Sequence, residues 1–480
     1  MRRLLPLSLL APGVMLAVAQ VVAQPAAPEP FARAEAAIRA EMQKAGIPGA
    51  AIAVVVNDRV AWVRGFGVAN SDTGTPVTPD SLFQIGSVTK TFTAAAILSA
   101  AGDGVLALDR PVATYVSGLT PCVGQPTLRQ LLSHTGGLID EPAEFGPPGE
   151  EGLAAYPRTW TSEYCLLTPG RAFSYSNSGV ALAGLALQEA AKTPFADAMR
   201  ARVLAPLGMT RTTFRPAEAN KWPLAEGHRR AKDGTFAVVR PLANDARLWP
   251  AGTLYSSANE MARFALALMN DGRVEGRQAL PAGLVASLRE EVVRIPTTGE
   301  GYGQGLFLGR MSHEFGHGGT MTGYAAQLTV SEQDGFDNGP KVAVVVLTNG
   351  DGANPEPLLR LALAAARVDA NGQDRIYISD YAPLPTRTLR AVDAQAFTGT
   401  YRNPKRFTVE VVRQGASLVL KRFGRSFPMR ALERDGEFLV DLPAGGIELV
   451  AFGRGPGGRV DLLQMNLWAL ARVQAPPRRR

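Results

Sequence analysis

Residues 313–319 read HEFGHGG, and the conformation of these seven residues decides what kind of chain this is. As a helix, HEFGH would put two histidines four apart on one face, where they can share a zinc ion. As a strand, the same residues spread over roughly 13 Å, at about 3.3 Å each, and no single zinc ion reaches both rings. Gly316, Gly318 and Gly319 each cost a helix roughly 1 kcal/mol. The flanks GQGLFLGRM and AAQLTV are strand-like. The stretch is therefore expected to be a strand and not a metal site. The frame that matters becomes HGGT, His317-Gly318-Gly319-Thr320, where a glycine-lined strand lets another backbone or a substrate come close.

Strands and helices alternate around it in blocks. PFARAEAAIRAEMQKAG carries Phe31, Ala34, Ile38 and Met42 on one helical face and stops at Gly46. AAIAVVV and RVAWVRGFGVA form a predicted hairpin about Asn57-Asp58. A helix is predicted from Ser87 to Ala101. From Asp109 to Gly276 the chain reads as helix and loop, including SGVALAGLALQEAAK, PFADAMRARVL and a helix opened by the capping box S-A-N-E at Ser257 and Glu260. Strand signals return in GQGLFLGRM, AAQLTV and KVAVVVLTN, and NPEPLLRLALAAAR closes the series as a helix. A strand-rich part is thus split by a helical insertion, an arrangement that places a cleft at the junction. Residues 369–391 shift to a polar, proline-containing linker. Residues 392–475 then alternate as short strands with glycine turns, which suggests a small antiparallel barrel.

Three short motifs carry chemistry. In FQIGSVTKTFTAAAIL, Ser87 and Lys90 stand three apart at a helix start, on one face. A serine hydroxyl needs a base to become a nucleophile, and a lysine serves when burial lowers its pKa. In PGRAFSYSNSG, Tyr175 can share protons with that pair, and Asn177 offers an amide to the lysine and to a substrate carbonyl. In HGGT, the N–H of Thr320 can join that of Ser87 as an oxyanion hole, with Gly318 and Gly319 keeping the approach open. Each motif alone is a weak signal. His134, in LLSHTGG, reads as structural. A G-x-S-x-G elbow, which a Ser-His-Asp hydrolase of the α/β type would show, does not occur.

Taken in order, S-V-T-K, Y-S-N and H-G-G resemble the serine β-lactamase and penicillin-binding-protein superfamily, and within it the class C β-lactamase-like branch of esterases, D-aminopeptidases and D,D-carboxypeptidases. LLSHTGGL at Leu131, PLGM at Pro206, PAGTLYSSANEMARF at Pro250 and HGGTMTGY at His317 are similar to that branch as well, so the resemblance covers residues 31–368. FTGTYRN resembles the start of the lipocalin-like barrel appended to some members. The resemblance implies an α/β fold with an antiparallel sheet flanked by helices, an inserted helical domain and a C-terminal β-barrel. It implies Ser87 as the acylated nucleophile, Lys90 and Tyr175 as its proton shuttles, Asn177 as a contact to lysine and substrate, and Ser87 and Thr320 as oxyanion donors. His317 takes the place of the lysine in K-T-G. A lysine there holds a substrate carboxylate; a histidine is mostly neutral near pH 7. An ester, amide or peptide is therefore expected as substrate ahead of a β-lactam or a D-Ala-D-Ala terminus, with no cofactor.

Composition sets the remaining bounds. The chain has 480 residues, 46% of them hydrophobic, and a formal charge of +7. Arg2, Arg3 and Arg478, Arg479 and Arg480 account for most of that charge, so the body is nearly neutral and carries no nucleic-acid footprint. Two arginines, an apolar run from Leu4 to Ala23 and small residues before Gln24 have the anatomy of a secretory signal peptide over residues 1–23. Ala17-Val18-Ala19 is a second possible cleavage point. An uncleaved anchor is the alternative, opposed by Pro6 and Pro12. An exported, periplasmic or secreted protein with no stable membrane span is expected, its oligomeric state open. Cys122 and Cys165 are the two cysteines, either one disulfide or two buried thiols. Residues 476–480 form a basic tail.

Overall fold

The computed structural model describes residues 24, 27–141, 145–147, 149–309, 313–332, 340–367, 385–415, 417–443 and 446–473. The expected signal peptide, most of the expected linker and the arginine tail lie outside these residues.

Helix α1 (Phe31–Ala45) ends at Gly46, whose left-handed backbone returns its N–H to the last turn. The hairpin strands β1 (Gly49–Val56) and β2 (Arg59–Asn70) follow as expected. Helix α2 (Thr89–Gly102) comes next, and the inserted region supplies helices α3 (Asn177–Ala191) and α4 (Ala258–Met269). Strands β3 (Glu314–Met321), β4 (Tyr324–Ser331) and β5 (Val342–Thr348) complete the sheet, and α5 (Glu356–Arg367) packs beside α1. All pairings in the nine-stranded sheet are antiparallel, with β3, β4, β5, β1 and β2 adjacent in that order. HEFGHGG is a strand: Glu314 opens β3, His317 lies within it and His313 precedes it.

The apolar runs of β1 and β5 are continuous because both faces of the sheet are covered. Ala51, Ala53 and Val55 join Val345 and Leu347 against α4, while Ala50, Ile52 and Val54 join Val344 and Val346 against α1 and α5. Each fully buried valine or isoleucine is worth roughly 1.5–3 kcal/mol. The sheet is therefore a rigid floor, and β3, at the edge of this five-strand block, is held in fixed register from Glu314↔Ser331 to Met321↔Tyr324.

Two local expectations are corrected. Among the described residues of GQGLFLGRM, ladder pairs to β3 form only at Phe307–Leu308. Gly305 breaks the run: its φ is +74°, and an added Cβ would stand 2.8 Å from the carbonyl of Lys90. The S-A-N-E box is half made. Ser257 caps α4 by accepting from the Glu260 N–H, but the Glu260 carboxylate accepts from Arg211 N–H at 2.9 Å and Thr212 Oγ1 at 2.5 Å. A tertiary contact outcompetes the local one. Cys122 and Cys165 are bonded to each other, with Cα atoms 6.3 Å apart.

The C-terminal part is a closed barrel of eight antiparallel strands: β6 (Gly399–Asn403), β7 (Phe407–Gln414), β8 (Ser417–Arg422), β9 (Arg425–Leu432), β10 (Glu437–Asp441), β11 (Ile447–Arg454), β12 (Val460–Met465) and β13 (Trp468–Arg472). Each pairs with the next, and β13 returns to β6. Val409, Val411, Leu418, Leu420, Val440 and Leu463 are among the side chains that fill its core. Thr386–Arg387, within the stretch expected as linker, pairs with β9.

Candidate active site

Ser87 sits in a single 3-10 turn, Gly86–Val88, that runs directly into α2. Gly86 has φ +52°, and an added Cβ there would lie 2.5 Å from the N of Thr320. From the other side, a Cβ on Gly319 would lie 2.1 Å from the carbonyl of Ile85 and 2.7 Å from the N of Ser87. The two glycines let β3 press its backbone against the serine turn. That contact is what brings the Ser87 and Thr320 amides into one place, the requirement for an oxyanion hole.

Lys90 lies one turn further along α2, fully buried. Its Nζ is 2.8 Å from Ser87 Oγ, 2.7 Å from Asn177 Oδ1 and 2.6 Å from the carbonyl of Ala251. All three partners are uncharged, and burial drives the Lys90 pKa well below its ordinary value. A neutral amine fits this cage: it donates to the two carbonyl oxygens and turns its lone pair to the serine hydroxyl. Tyr175 comes from the strand-like segment ahead of α3. Its ring lies 4.9 Å from Lys90 Nζ, and its hydroxyl faces Ser87. Burial pushes its pKa up, opposed by the contact with Ser87. Burial thus favours the protonated form of the phenol and the unprotonated form of the lysine.

His317 points into the same site from β3. It is buried, and its pKa is lowered to about 3, first by burial and then by Lys90, against the hydrogen bond to Gly318. The ring is neutral: Nδ1–H donates to the Gly318 carbonyl, and Nε2, 3.2 Å from Tyr302 Oη, accepts from that hydroxyl. His134 supports Tyr175 from behind, with ring centroids 4.2 Å apart, while its Nδ1 accepts from Ser176 N–H at 3.1 Å. Its backbone φ is +58°, and burial holds its pKa well down.

These groups open into a cleft of about 620 Å³. Ser87, Tyr175, Asn177 and the strand His317–Gly318–Gly319–Thr320 line one side, so the expected site residues are brought together. The disulfide pair is partly buried and packs against the main hydrophobic core. The barrel also reaches the cleft, with Arg406, Leu467 and Trp468 on its wall. The turn between β12 and β13 docks on the tyrosine segment: Tyr175 N–H donates to the Leu467 carbonyl at 2.9 Å, and Ala469 N–H to Ser174 Oγ at 3.3 Å. Phe173, Tyr175 and Tyr302 pack with Leu467 and Trp468.

Sequence reasoning missed Asp140, Tyr302, Arg406, Trp468 and the Ala251 carbonyl, and it assigned His134 no place in the site. PAG at Pro250 and the D that follows LLSHTGGLI were visible as letters but have no fixed spacing to Ser87. The barrel residues carried no signal at all.

The model of the family described as Beta-lactamase matches residues 34–368. The chain is 29% identical over 317 residues to penicillin-binding protein 4 of Amycolatopsis lactamdurans, which spans 63% of this chain and 81% of that protein. Among solved structures, that of SurE with D-Leu superposes with a TM-score of 0.71 at 26% identity, covering 92% of this chain and 99% of the other. A D-amino acid amidase from Ochrobactrum anthropi shares the fold, with a TM-score of 0.55 at 23% identity over 69% of this chain and 97% of its own.

Proposed function

This chain belongs to the β-lactamase family, and from that premise we propose that it is an exported serine hydrolase that forms an acyl-enzyme on Ser87 and hydrolyses an ester or amide. The observation that carries the reading is the Lys90 amine, fully buried among uncharged partners and 2.8 Å from Ser87 Oγ.

In this reading Lys90 is the base and Tyr175 the acid. Lys90 takes the Ser87 proton as Oγ bonds to the substrate carbonyl carbon. The oxyanion that forms faces the amides of Ser87 and Thr320. On collapse, the bond to the leaving alcohol or amine breaks and the Tyr175 hydroxyl protonates the departing atom, taking the proton of Lys90 in turn. Water then attacks the acyl-enzyme with Lys90 again as base, releasing the acid and restoring Ser87. The opposed pKa directions of Lys90 and Tyr175 support this division.

His317 bears on the substrate. A neutral ring offers no charge to a carboxylate, which favours esters, amides and peptides whose recognition does not depend on a cation at that place. The test is a comparison of kcat/KM for short-chain p-nitrophenyl esters, a D-alanine anilide and a chromogenic cephalosporin, each on wild type and Ser87→Ala. The ester or anilide is expected to lead by at least tenfold, with turnover lost in Ser87→Ala. A clear preference for the cephalosporin would overturn the ranking.

A further inference from the structure

Asp140 is a fully buried carboxylate at the junction of the hydrolase part and the barrel. Its Oδ1 accepts from Asn177 N–H at 2.9 Å and from Asn177 Nδ2 at 3.0 Å. Its Oδ2 pairs with Arg406 Nη2 and accepts from Trp468 Nε1 at 3.3 Å. Arg406 lies in the turn between β6 and β7, its guanidinium 4.7 Å over the Trp468 ring. The carboxylate therefore has one oxygen for the hydrolase part and one for the barrel.

The consequence falls on Asn177. A carboxylate can only accept, so the amide must turn its Nδ2 to Asp140 and its Oδ1 to Lys90 Nζ, 2.7 Å away. The flipped amide would set oxygen against carboxylate and N–H against the lysine. We propose that Asp140 is a positioning residue of the Ser87–Lys90 centre, and that the barrel, through Arg406 and Trp468, balances the charge Asp140 turns toward Asn177 and Lys90. This rests on the reading of Lys90 as base.

Among the described residues, the other charged and titratable groups nearby are accounted for. Lys90 is faced by His134 and His317, both held neutral, and by the Tyr175 phenol. Glu141, next to Asp140, is 3.2 Å from Lys405 Nζ and accepts from Tyr156 and Tyr164. Arg247 behind them is paired with Asp245 at 2.7 Å. Arg406 is thus the cation set against Asp140.

The signs differ for the two partners. Removing the Arg406 charge leaves the Asp140 carboxylate unbalanced, which favours protonated Lys90. Removing the Asp140 charge leaves Arg406 unbalanced, which favours the neutral amine. The measurement is the second-order rate of fluorophosphonate labelling at Ser87 against pH, followed by intact mass on the full chain. In Arg406→Gln the acidic limb should move to higher pH by about half a unit or more; in Asp140→Asn it should move to lower pH. The double variant should return toward wild type, and Arg406→Lys should restore the limb. Arg406 is partly exposed, so its truncation empties no core. If Asp140→Asn does not fold, the Gln and Lys variants at 406 decide: a shift in the first reversed in the second supports the proposal. Coincident limbs in all folded variants, with only a uniform loss of rate, would overturn it. No label at Ser87 in wild type would instead overturn the acyl-enzyme reading beneath it.

Discussion

In the proposed mechanism the chemistry is concentrated in one side chain, Lys90. Its pKa is driven well down because the cage that buries it supplies only neutral acceptors, and it is aimed because Asn177 and Ala251 hold two of its three directions. Lys90→Arg keeps a cation that never becomes a base, so kcat/KM is expected to fall by about 10²–10⁴-fold. The wild-type profile follows with its sign: activity needs the unprotonated amine, so the acidic limb of kcat/KM should lie well below the usual lysine range. The alkaline limb should lie above the usual tyrosine value, since Tyr175 must keep its proton. A limb at the ordinary lysine pKa would contradict the burial argument. Ser87, Lys90, Tyr175 and Asn177 were legible in the sequence because each stands within three residues of its motif partner. Asp140 was not, because its meaning comes from Arg406 and Trp468, which lie 266 and 328 positions away.

At the scale of elements, the decisive contact is β3 against the turn that begins α2. Gly318 and Gly319 read alike in the sequence, yet the structure separates them. A Cβ on Gly319 meets fixed backbone, at 2.1 Å from the Ile85 carbonyl. A Cβ on Gly318 meets the end of a flexible side chain, Gln327 Oε1 at 2.7 Å. Gly319→Ala should therefore push the strand away and lower kcat by about 10²-fold or more, the cost of losing an oxyanion donor. Gly318→Ala should cost several-fold at most, as Gln327 swings aside. Equal losses in the two, by steady-state kinetics on matched substrates, would show that the close approach does not place the oxyanion amides. Strands β1, β4 and β5 were legible from their apolar runs. The break that keeps residues 303–306 out of the strand Phe307–Leu308 was not, because it depends on Gly305 packing against α2.

At the scale of the whole molecule, stability and site share the same buried groups. His317 in the folded chain titrates near 3 against an ordinary 6.5, and His134 is depressed too. Below about pH 6.5 the unfolded chain gains protons that the folded chain refuses, so this contribution is fully present above that pH and is lost as pH falls toward 3. The melting temperature should drop over that window, and His317→Gln should flatten the drop. An unchanged slope would place the acid sensitivity elsewhere. Reducing the Cys122–Cys165 bridge, whose partners are 43 positions apart, should cost about 4 kcal/mol in the chain-entropy account and lower the melting temperature further. The barrel was legible as a barrel from its alternation and glycine turns. Its docking on Tyr175 and Asp140 was not, since the turns that make the contact look like any surface turn. The central claim, a serine activated by a buried neutral lysine, is tested most directly by intact-mass labelling with a fluorophosphonate near neutral pH. One adduct on Ser87 in wild type, absent in Ser87→Ala and strongly slowed in Lys90→Arg, is the predicted result; an adduct at another residue with Ser87 unmodified would contradict it.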